Sequence, residues 1–399
     1  MALTPPISSA PEEADILIIG GGIAGAGAAY ELAAFASVVV LERESQCGYH
    51  STGRSAASFT ENYGSPIIRR LAIASRAFLE TPGAAFCEHP LLSPRGIITI
   101  ARQDQLDSLE RELAHAQALV PTIRALDAAS AIALVPVLRR DYVAAAVIEP
   151  DARDLDVNGL HQGYLRNAKA RGARVVLNAG VEAIERRDRW SVVTGAGVFR
   201  APLIVNAAGA WADTIAVQAG IAPLGLAPKR RTAFTIPLPR DVDSGGWPMV
   251  NDVAEEFYFK PDAGRLFVSP ADATLSAPTD AHPEDLDVAI GVDRLERATT
   301  LQVARVERAW AGLRTFAPDG SPVVGPDGAD GFFWLAGQGG YGIKTSPALS
   351  RACASLIRER RLPEDLLRLG ITSADLSPAR FRGFNTSSAI TATRTELPP

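Results

Sequence analysis

The chain has 399 residues, enough for two domains, and its 47% hydrophobic content can supply substantial cores. A formal net charge of −5 gives no basic field for nucleic acid, and no apolar run approaches the ~18 residues of a membrane span. Cys47, Cys87 and Cys353 form no CxxC pair and the five histidines lack metal-ligand spacing, so we expect no disulfide framework and no metal site. The cysteine usage favours a reducing cytoplasm. Residues 1–13, rich in Pro, Ser and Glu, are expected to be a flexible leader, and we see no signal-peptide pattern in them.

The first structured unit, residues 15–42, reads as an apolar strand, a glycine turn, a helix, a second apolar strand and an acid. In the turn, Gly20 allows the tight bend, Gly22 lets the backbone approach a pyrophosphate, and Gly25 lets helix and strand pack closely. The helix N-terminus offers free N–H groups to phosphates. Glu42, about 20 residues beyond the turn, is placed to accept hydrogen bonds from a ribose. This unit predicts a dinucleotide site.

The rest of the chain alternates helix and strand patterns. A Gly/Ser-rich segment spans residues 48–64. Helices are predicted at 66–79, 103–118, 157–170 and 283–298, and strands at 96–102, at 143–148 and from 173 to near Val181. A strand, turn and helix follow at 203–213, β-rich segments with a hairpin at 262–264 occupy 224–270, and a last strand, glycine turn and helix begin at 331. The tail after about Phe381 is polar, and we expect it to be poorly ordered.

This order predicts an α/β protein with two domains. A discontinuous Rossmann-like domain with a parallel sheet would comprise residues 14–85, 151–220 and 317–375. An antiparallel β-sheet with helices, from residues 86–150 and 221–316, would form a substrate domain. Residues 1–13 and 381–399 would be flexible tails.

Several long segments are unusual enough to suggest a family. They are EREsqcGYHSTGRSAA at 42–57, FCEHPLLSPR at 86–95, PVLRRD at 136–141, NAAGAWAD at 206–213, GLAPKRR at 225–231, FYFKPDAG at 257–264, WAGLRTF at 310–316 and QGGYGIKTS at 338–346. On these segments, and over residues 15–357, the chain resembles the D-amino-acid oxidase family of flavoproteins, and within it the D-arginine dehydrogenase-like members. The resemblance implies FAD in an extended conformation as the cofactor.

The resemblance also implies a set of cofactor-binding residues. They are Gly20, Gly22, Ile23, Ala24 and Gly25 at the pyrophosphate, Glu42 and Arg43 at the adenosine end, Ser51, Thr52, Arg54, Ser55 and Ala56 near the ribityl chain and phosphates, Val181 at adenine, Ala208 and Gly209, and Gly339, Gly340, Tyr341, Gly342, Ile343, Lys344 and Thr345 at the isoalloxazine ring. A helix that begins at the last glycine turn would stabilise negative charge on reduced flavin. Because residues 310–316 contain no cysteine where some relatives attach FAD, we expect non-covalent binding.

By the same resemblance, the reaction would be oxidative deamination of a D-amino acid. A hydride would pass from the α-carbon to flavin N5, and the imine would hydrolyse to a 2-oxo acid and ammonia. Arg231 and Arg314 would anchor the substrate carboxylate, because a guanidinium fork offers two parallel hydrogen bonds. Arg230 competes with Arg231, since a one-residue shift reverses the face of a strand. Tyr258 and Tyr63 would flank the pocket.

Three departures from the D-arginine dehydrogenase pattern concern substrate choice. Ser58 stands where that pattern has a histidine that handles the substrate amine, and Gly96 and Ile97 stand where it has a carboxylate. Lys344 replaces a neutral amide; it would pair with Glu61, meet an anionic substrate or activate oxygen. Because Ile97 cannot pair with a cation, we expect a less cationic D-amino acid than arginine, or a related secondary amine.

Other functions remain open on sequence. An oxidase of sarcosine, N-methyl amino acids or imino acids would use the same fold, as would an FAD-dependent 2-hydroxy acid dehydrogenase. A flavin-binding module without catalysis is a third class, although the arginines and Tyr258 argue against it. The electron acceptor could be oxygen, a quinone or a carrier protein.

Overall fold

The computed structural model describes residues 10–240, 242–328 and 331–382. Within these residues the strands are β1 (Glu12–Glu13), β2 (Ile16–Ile19), β3 (Val38–Leu41), β4 (Ser58–Phe59), β5 (Leu92–Pro94), β6 (Ile97–Ala101), β7 (Arg124–Asp127), β8 (Ala145–Glu149), β9 (Arg153–Leu155), β10 (Arg174–Val176), β11 (Val181–Arg186), β12 (Trp190–Thr194), β13 (Gly197–Ala201), β14 (Leu203–Asn206), β15 (Ala227–Pro237), β16 (Met249–Asp252), β17 (Tyr258–Asp262), β18 (Arg265–Ser269), β19 (Thr274–Leu275), β20 (Arg308–Phe316), β21 (Val323–Pro326) and β22 (Phe332–Ala336). The helices are α1 (Ile23–Leu32), α2 (Pro66–Glu80), α3 (Leu106–Gln117), α4 (Ala128–Leu134), α5 (Val157–Ala170), α6 (Ala212–Gln218), α7 (Asp285–Ala298), α8 (Gly342–Glu359), α9 (Glu364–Arg368) and α10 (Ser373–Leu376), with short 3-10 helices at Gln103–Gln105, Gly209–Trp211 and Pro378–Phe381.

A six-stranded sheet forms the nucleotide-binding half, in the order β10-β3-β2-β14-β22-β21. All neighbouring strands are parallel except β21 and β22. Strands β2, β3 and β22 are buried at every residue, as expected for parallel strands covered on both faces. Ile16 and Ile18 pack under α1 and α8, whereas Leu17 and Ile19 pack under the four-stranded sheet β1-β13-β12-β11.

A nine-stranded, mostly antiparallel sheet forms the second half, in the order β19-β15-β18-β17-β16-β6-β8-β7, with β20 paired to β15. Its one parallel pair is β16 with β6. One face of this sheet packs against α4 and α7 in a hydrophobic core that includes Phe234, Val250 and Phe259. Their alternating neighbours, such as Ala233 and Tyr258, face the opposite side, where the cavity described below lies.

The predicted fold class is confirmed, because the parallel sheet, the antiparallel sheet and their helices are all present. Two details differ from the sequence analysis. The strand predicted to end near Val181 is two strands, β10 and β11, in different sheets, because Asn178 adopts a positive φ of 53° between them. The leader predicted over 1–13 ends in a strand, since Glu12–Glu13 pairs with β13. Residues 1–9 and 383–399, which include most of the predicted tails, lie outside the described residues.

Among the helices of the described ranges, none combines the length and the apolar character needed to cross a membrane.

Candidate active site

A large cavity of about 790 Å³ lies between the two main sheets. Residues just beyond the carboxyl ends of the parallel strands line one side: Gly20 after β2, Glu42 after β3, Ala207 after β14 and Gly337 after β22. The carboxyl edge of a parallel sheet is the usual ligand site of such folds. The volume is near the upper end for small-molecule sites, so the cavity suits a large, elongated ligand.

The first glycine turn is shaped by close backbone contacts. Gly20 has φ +104°, and a Cβ there would lie 2.5 Å from the carbonyl oxygen of Ala207. A Cβ on Gly25 would overlap the carbonyl oxygen of Gly20, so only glycine lets α1 pack against the turn. Gly22 is the N-cap of α1 and has no side chain to cap the helix; the Thr52 hydroxyl instead accepts a hydrogen bond from the Ile23 N–H at 2.9 Å, and Gly22, Ile23 and Ala24 line the cavity.

Two side chains hold this turn. Glu42 is buried; its Oε2 accepts a hydrogen bond from the Gly21 N–H at 2.8 Å and its Oε1 accepts one from the Glu44 N–H at 2.9 Å. His161 was not predicted as a site residue, yet its Nε2 lies 2.8 Å from the Gly21 carbonyl oxygen. Burial lowers the pKa of His161, so the neutral ring donates this hydrogen bond. No sequence pattern indicated this contact, because His161 lies 140 residues after Gly21.

Most of the predicted cofactor residues lie on the cavity wall. These are Gly20, Gly22, Ile23, Ala24, Glu42, Arg43, Ser51, Thr52, Arg54, Ser55, Ala56, Val181, Ala208, Gly209, Gly339, Gly340, Tyr341, Gly342, Ile343 and Lys344. Gly25 and Thr345 lie behind the wall instead. Gly25 packs on the turn, and the Thr345 hydroxyl donates to the Tyr341 carbonyl oxygen at 2.9 Å inside α8.

Arg54 serves the wall itself. Its Nη1 donates to the carbonyl oxygens of Ala281 and Ala311, at 2.8 and 2.9 Å, and its Nη2 pairs with Asp280. Arg54 therefore lies at the cavity, as predicted, but its guanidinium group binds oxygen atoms of the protein and links residues 280–281 to β20.

Arg231 and Arg314 share one face of the nine-stranded sheet. Arg231 is opposite Gly312 in the β15–β20 register, so Arg231, Gly312 and Arg314 point to the same side. Arg314 Nη2 lies 3.4 Å from the Tyr258 hydroxyl, and the Arg231 guanidinium lies 5.9 Å from the Tyr258 ring centre. Arg231 also donates from Nε to the Asp272 carbonyl oxygen at 2.6 Å. The predicted arginine pair and tyrosine thus meet at one end of the cavity.

Arg230 points the other way. It forms ion pairs with Glu284 and, at 2.9 Å, with Asp287, both near the start of α7. The competition between Arg230 and Arg231 is therefore resolved by the register, because only Arg231 of the two lines the cavity.

The arginines change the acidity of Tyr258. Burial by itself raises the pKa of this hydroxyl, but the positive charges of Arg314 and Arg231, together with hydrogen bonding to Ser269 and Arg231, bring the pKa below its ordinary value. The hydroxyl is therefore polarised by two cations at the arginine end of the cavity.

Lys344 is buried at the start of α8, with 4% of its surface exposed. Its Nζ donates to the carbonyl oxygens of Thr60 and Tyr63, at 2.9 and 2.7 Å. The predicted pairing with Glu61 is wrong, because Glu61 is bound by Arg76 at 2.6 Å on α2. Burial lowers the pKa of Lys344 to about 7.

Ser58, Tyr63 and Ile97 also line the cavity, as the sequence analysis requires of pocket residues. The Ser58 hydroxyl lies 3.4 Å from Met249 Sδ, and Tyr63 packs against Tyr341 with ring centres 5.3 Å apart. These side chains form a partly apolar wall near the arginine end.

Four acids on the cavity wall were missed: Glu112, Glu149, Asp252 and Glu255. Burial raises the pKa of Glu149 to about 7 and also raises the pKa of Glu112. Glu112 lies in a charged amphipathic helix whose acids resemble a solvated face, and Glu149 ends an apolar strand. Neither pattern signals a cavity, because the cavity is assembled from strands distant in sequence.

The wall fits an extended dinucleotide with a ring system at one end. The N-termini of α1 and α8 both lie on the wall. The Ile23 N–H of α1 is taken by the Thr52 hydroxyl, at 2.9 Å, and other N–H groups of the two first turns can bind anionic parts of a ligand. The Thr315 hydroxyl is buried on the wall and has no hydrogen-bond partner among the described residues. A ligand that accepts hydrogen bonds would satisfy these groups.

Fold and wall together define a dinucleotide-binding protein whose second sheet closes the site. The chain belongs to the DAO family of FAD dependent oxidoreductases, which matches residues 15–356. This confirms the family resemblance and the prediction of FAD. In the described ranges the cavity wall contains no cysteine, in agreement with FAD held without a cysteine bond.

The chain is similar to proteins with different named substrates. It is 27% identical to a D-amino acid dehydrogenase of Cereibacter sphaeroides, over 92% of this chain and 95% of that protein. It is 26% identical to glycerol-3-phosphate dehydrogenase 1 of Mycobacterium tuberculosis, over 93% of this chain and 75% of that protein. The crystal structure of L-proline dehydrogenase from P. horikoshii shares the fold, with a TM-score of 0.78, 22% identity, and coverage of 93% and 98% of the two chains. The family thus defines an FAD-dependent oxidoreductase rather than one substrate.

Proposed function

We propose that this protein oxidatively deaminates a D-amino acid. The observation that carries the proposal is the meeting of Arg231, Arg314 and Tyr258 at one end of the cavity whose other walls fit FAD. Bound FAD would accept the hydride that leaves the substrate α-carbon, and water would hydrolyse the resulting imine to a 2-oxo acid and ammonia.

The chain's own residues would bind and orient the substrate. Arg314 and Arg231 would bind its carboxylate, because two guanidinium groups on one sheet face can each donate paired hydrogen bonds. Tyr258, hydrogen-bonded to Arg314, would donate its hydroxyl to the same carboxylate. Tyr63 and Tyr341 would form the facing wall, exclude water and fix the angle of the α-carbon. Ser58 would face the substrate amine.

The side-chain end of the pocket supports an uncharged substrate side chain. Ile97, Met249 and Val147 line the cavity along adjacent strands. Glu149 is the acid next to Ile97 in the β6–β8 register, but it accepts a hydrogen bond from Thr60. We therefore expect D-amino acids with neutral side chains to be preferred over D-arginine and D-lysine.

The same anchor would hold the carboxylate of sarcosine, an N-methyl or imino acid, or a 2-hydroxy acid. Because all these compounds carry a carboxylate, two alternatives are tested beside the proposal: an oxidase of sarcosine, N-methyl or imino acids, and a 2-hydroxy acid dehydrogenase. A cytoplasmic location and an acceptor among oxygen, quinone and carrier protein complete the proposal.

The test is an anaerobic titration of the purified holoprotein, followed by loss of flavin absorbance. The panel contains D-alanine, D-leucine, D-phenylalanine, D-arginine, D-lysine, their L-enantiomers, sarcosine, L-proline, both lactates and glycerol 3-phosphate. Fastest reduction by a neutral D-amino acid supports the proposal. Fastest reduction by D-arginine or D-lysine contradicts the side-chain preference, and fastest reduction by a hydroxy compound contradicts amine oxidation. If no compound reduces the flavin, a non-catalytic module is favoured. Hydrogen peroxide formed in air then separates oxidase from dehydrogenase.

A further inference from the structure

Residues 57–65, which comprise β4 and the loop that leads from it to α2, arch over the cavity, and we call this segment the arch. Ser58, Thr60, Asn62 and Tyr63 of the arch line the cavity wall. From outside, α2 holds the arch through the Glu61–Arg76 pair. The arch therefore carries one wall of the proposed substrate pocket, and its position sets the opening of the cavity.

From inside, Lys344 holds the arch at two points. Its Nζ donates to the carbonyl oxygens of Thr60 and Tyr63, three residues apart, and so closes the loop between them. The same ammonium group lies 5.5 Å from the ring centre of Tyr63 and 5.6 Å from that of Tyr341. The Lys344 side chain thus contacts the arch backbone and the rings of Tyr63 and Tyr341.

A second tie runs to the nine-stranded sheet. The Thr60 hydroxyl donates to Glu149 Oε2 at 2.8 Å and accepts from the Asn62 N–H at 3.0 Å. Thr60 therefore binds α8 through its carbonyl oxygen and β8 through its hydroxyl. The charged groups around Lys344 are Glu149, Glu61 and Arg69, and Glu61 is already paired with Arg76.

We propose that Lys344 is a positioning residue that fixes the arch, and with it Tyr63, over the cavity, and that Glu149 is the second anchor through Thr60. Two of the three N–H donors of Lys344 are used by backbone carbonyl oxygens. These two hydrogen bonds account for the burial of the Lys344 ammonium group, so neither a substrate anion nor oxygen is needed as its partner. The consequence for substrate entry rests on the proposed function; the fixing of the arch does not.

The experiment compares K344M, K344Q, K169M and the natural holoprotein. Methionine fills the space of Lys344 without donors, glutamine keeps two N–H donors, and Lys169 is an exposed residue of α5 that serves as the control. Amide hydrogen exchange is read by mass spectrometry on peptides that span the arch. Loss of the two hydrogen bonds from Lys344 Nζ should speed exchange there by about tenfold or more in K344M, with little change in α5.

Turnover gives the second readout, with the fastest substrate of the panel. K344M should raise KM by about tenfold while kcat changes by less than about threefold, because the arch shapes the pocket rather than the reacting atoms. K344Q should restore both exchange and KM towards the natural values, and K169M should match the natural chain.

Natural-like exchange at the arch in K344M would overturn the proposal, and so would equal damage in K344M and K344Q. If K344M is not recovered folded, T60V decides: it removes the Thr60 hydroxyl, which donates to Glu149 and accepts from the Asn62 N–H, and it leaves the carbonyl contacts of Lys344 in place. Exchange about threefold faster at arch amides other than that of Asn62 supports the proposal, and unchanged exchange there contradicts it. Exchange needs no turnover, so failure of the proposed reaction leaves this result readable.

Discussion

Two single variants, R231M and its control R230M, test whether Arg231 binds the substrate. The two residues are adjacent on β15 and point to opposite faces. Arg231 faces the cavity with Arg314, whereas Arg230 binds Glu284 and Asp287 near α7. Both variants lose one guanidinium group from the same strand, so general effects on the strand are matched.

The size of each effect follows from what each side chain touches. A hydrogen bond to a charged group contributes about 1.5–3 kcal/mol, which is about 10- to 150-fold in kcat/KM for R231M. In R230M, Asp287 is only 15% exposed but Glu284 is 60% exposed. The expected loss is therefore about 1–3 kcal/mol of unfolding free energy, between a surface pair and a buried pair, with kcat/KM close to the natural value.

Anaerobic stopped-flow reduction with the best substrate of the panel measures kcat/KM, and urea unfolding measures stability. We expect R231M to lose turnover efficiency mainly through KM and R230M to lose stability only. The reasoning is refuted if R230M impairs kcat/KM as strongly as R231M does, or if R231M leaves it unchanged.

Three further predictions test other parts of the site. R314K keeps the charge but loses the guanidinium fork, so kcat/KM should fall by about 10- to 100-fold in the same stopped-flow assay, and natural values would remove Arg314 from the anchor. G20A places a Cβ 2.5 Å from the Ala207 carbonyl oxygen, so the ratio of flavin to protein absorbance should drop by about tenfold, whereas G246A, which meets nothing within 4 Å, should retain its flavin. Burial raises the pKa of Glu149 from 4.5 to about 7, so the stability due to its proton is complete below about pH 4.5 and is lost as pH rises through about 7. From pH 5 to pH 8, E149Q should therefore gain about 1–3 kcal/mol of unfolding free energy relative to the natural chain in urea titrations, and parallel pH curves would contradict this.

The sequence pattern correctly predicted the helices and turns that are stabilised by interactions between residues close in sequence. Helix α5 spans Val157–Ala170, as predicted, because its apolar spacing and the Asp156 cap are both local. The hairpin at 262–264 forms between β17 and β18. The split between β10 and β11 was missed because β10 has only three residues and no local pattern marks the positive φ of Asn178 between the two strands.

Site residues could be predicted only where a motif marks them. The glycine turn and the arginine on β20 belong to recognisable segments, whereas Glu149 and His161 reach the site through pairings between distant strands and helices. Lys344 shows the limit most clearly. Its burial was anticipated, and its expected partners were Glu61, an anionic substrate or oxygen, whereas in the structure its Nζ donates to two backbone carbonyl oxygens. Backbone acceptors carry no sequence signal, because every residue has one.

On the proposed function, the charges along the cavity would favour one orientation and one protonation state of an amino acid. The arginines occupy the β15–β20 end, whereas Glu149 and Glu112 lie near β8 and α3, where burial raises their pKa values. A substrate carboxylate would be drawn to the guanidinium groups of Arg231 and Arg314. Once it is bound there, the two nearby guanidinium groups would disfavour a positive ammonium group on the adjacent carbon and lower its pKa. Hydride transfer from an amine requires the neutral form, so an anchor that binds the carboxylate would also promote loss of the amine proton. A hydroxy acid gains nothing from this effect, which is the physical reason to place the amine first among the candidate substrates.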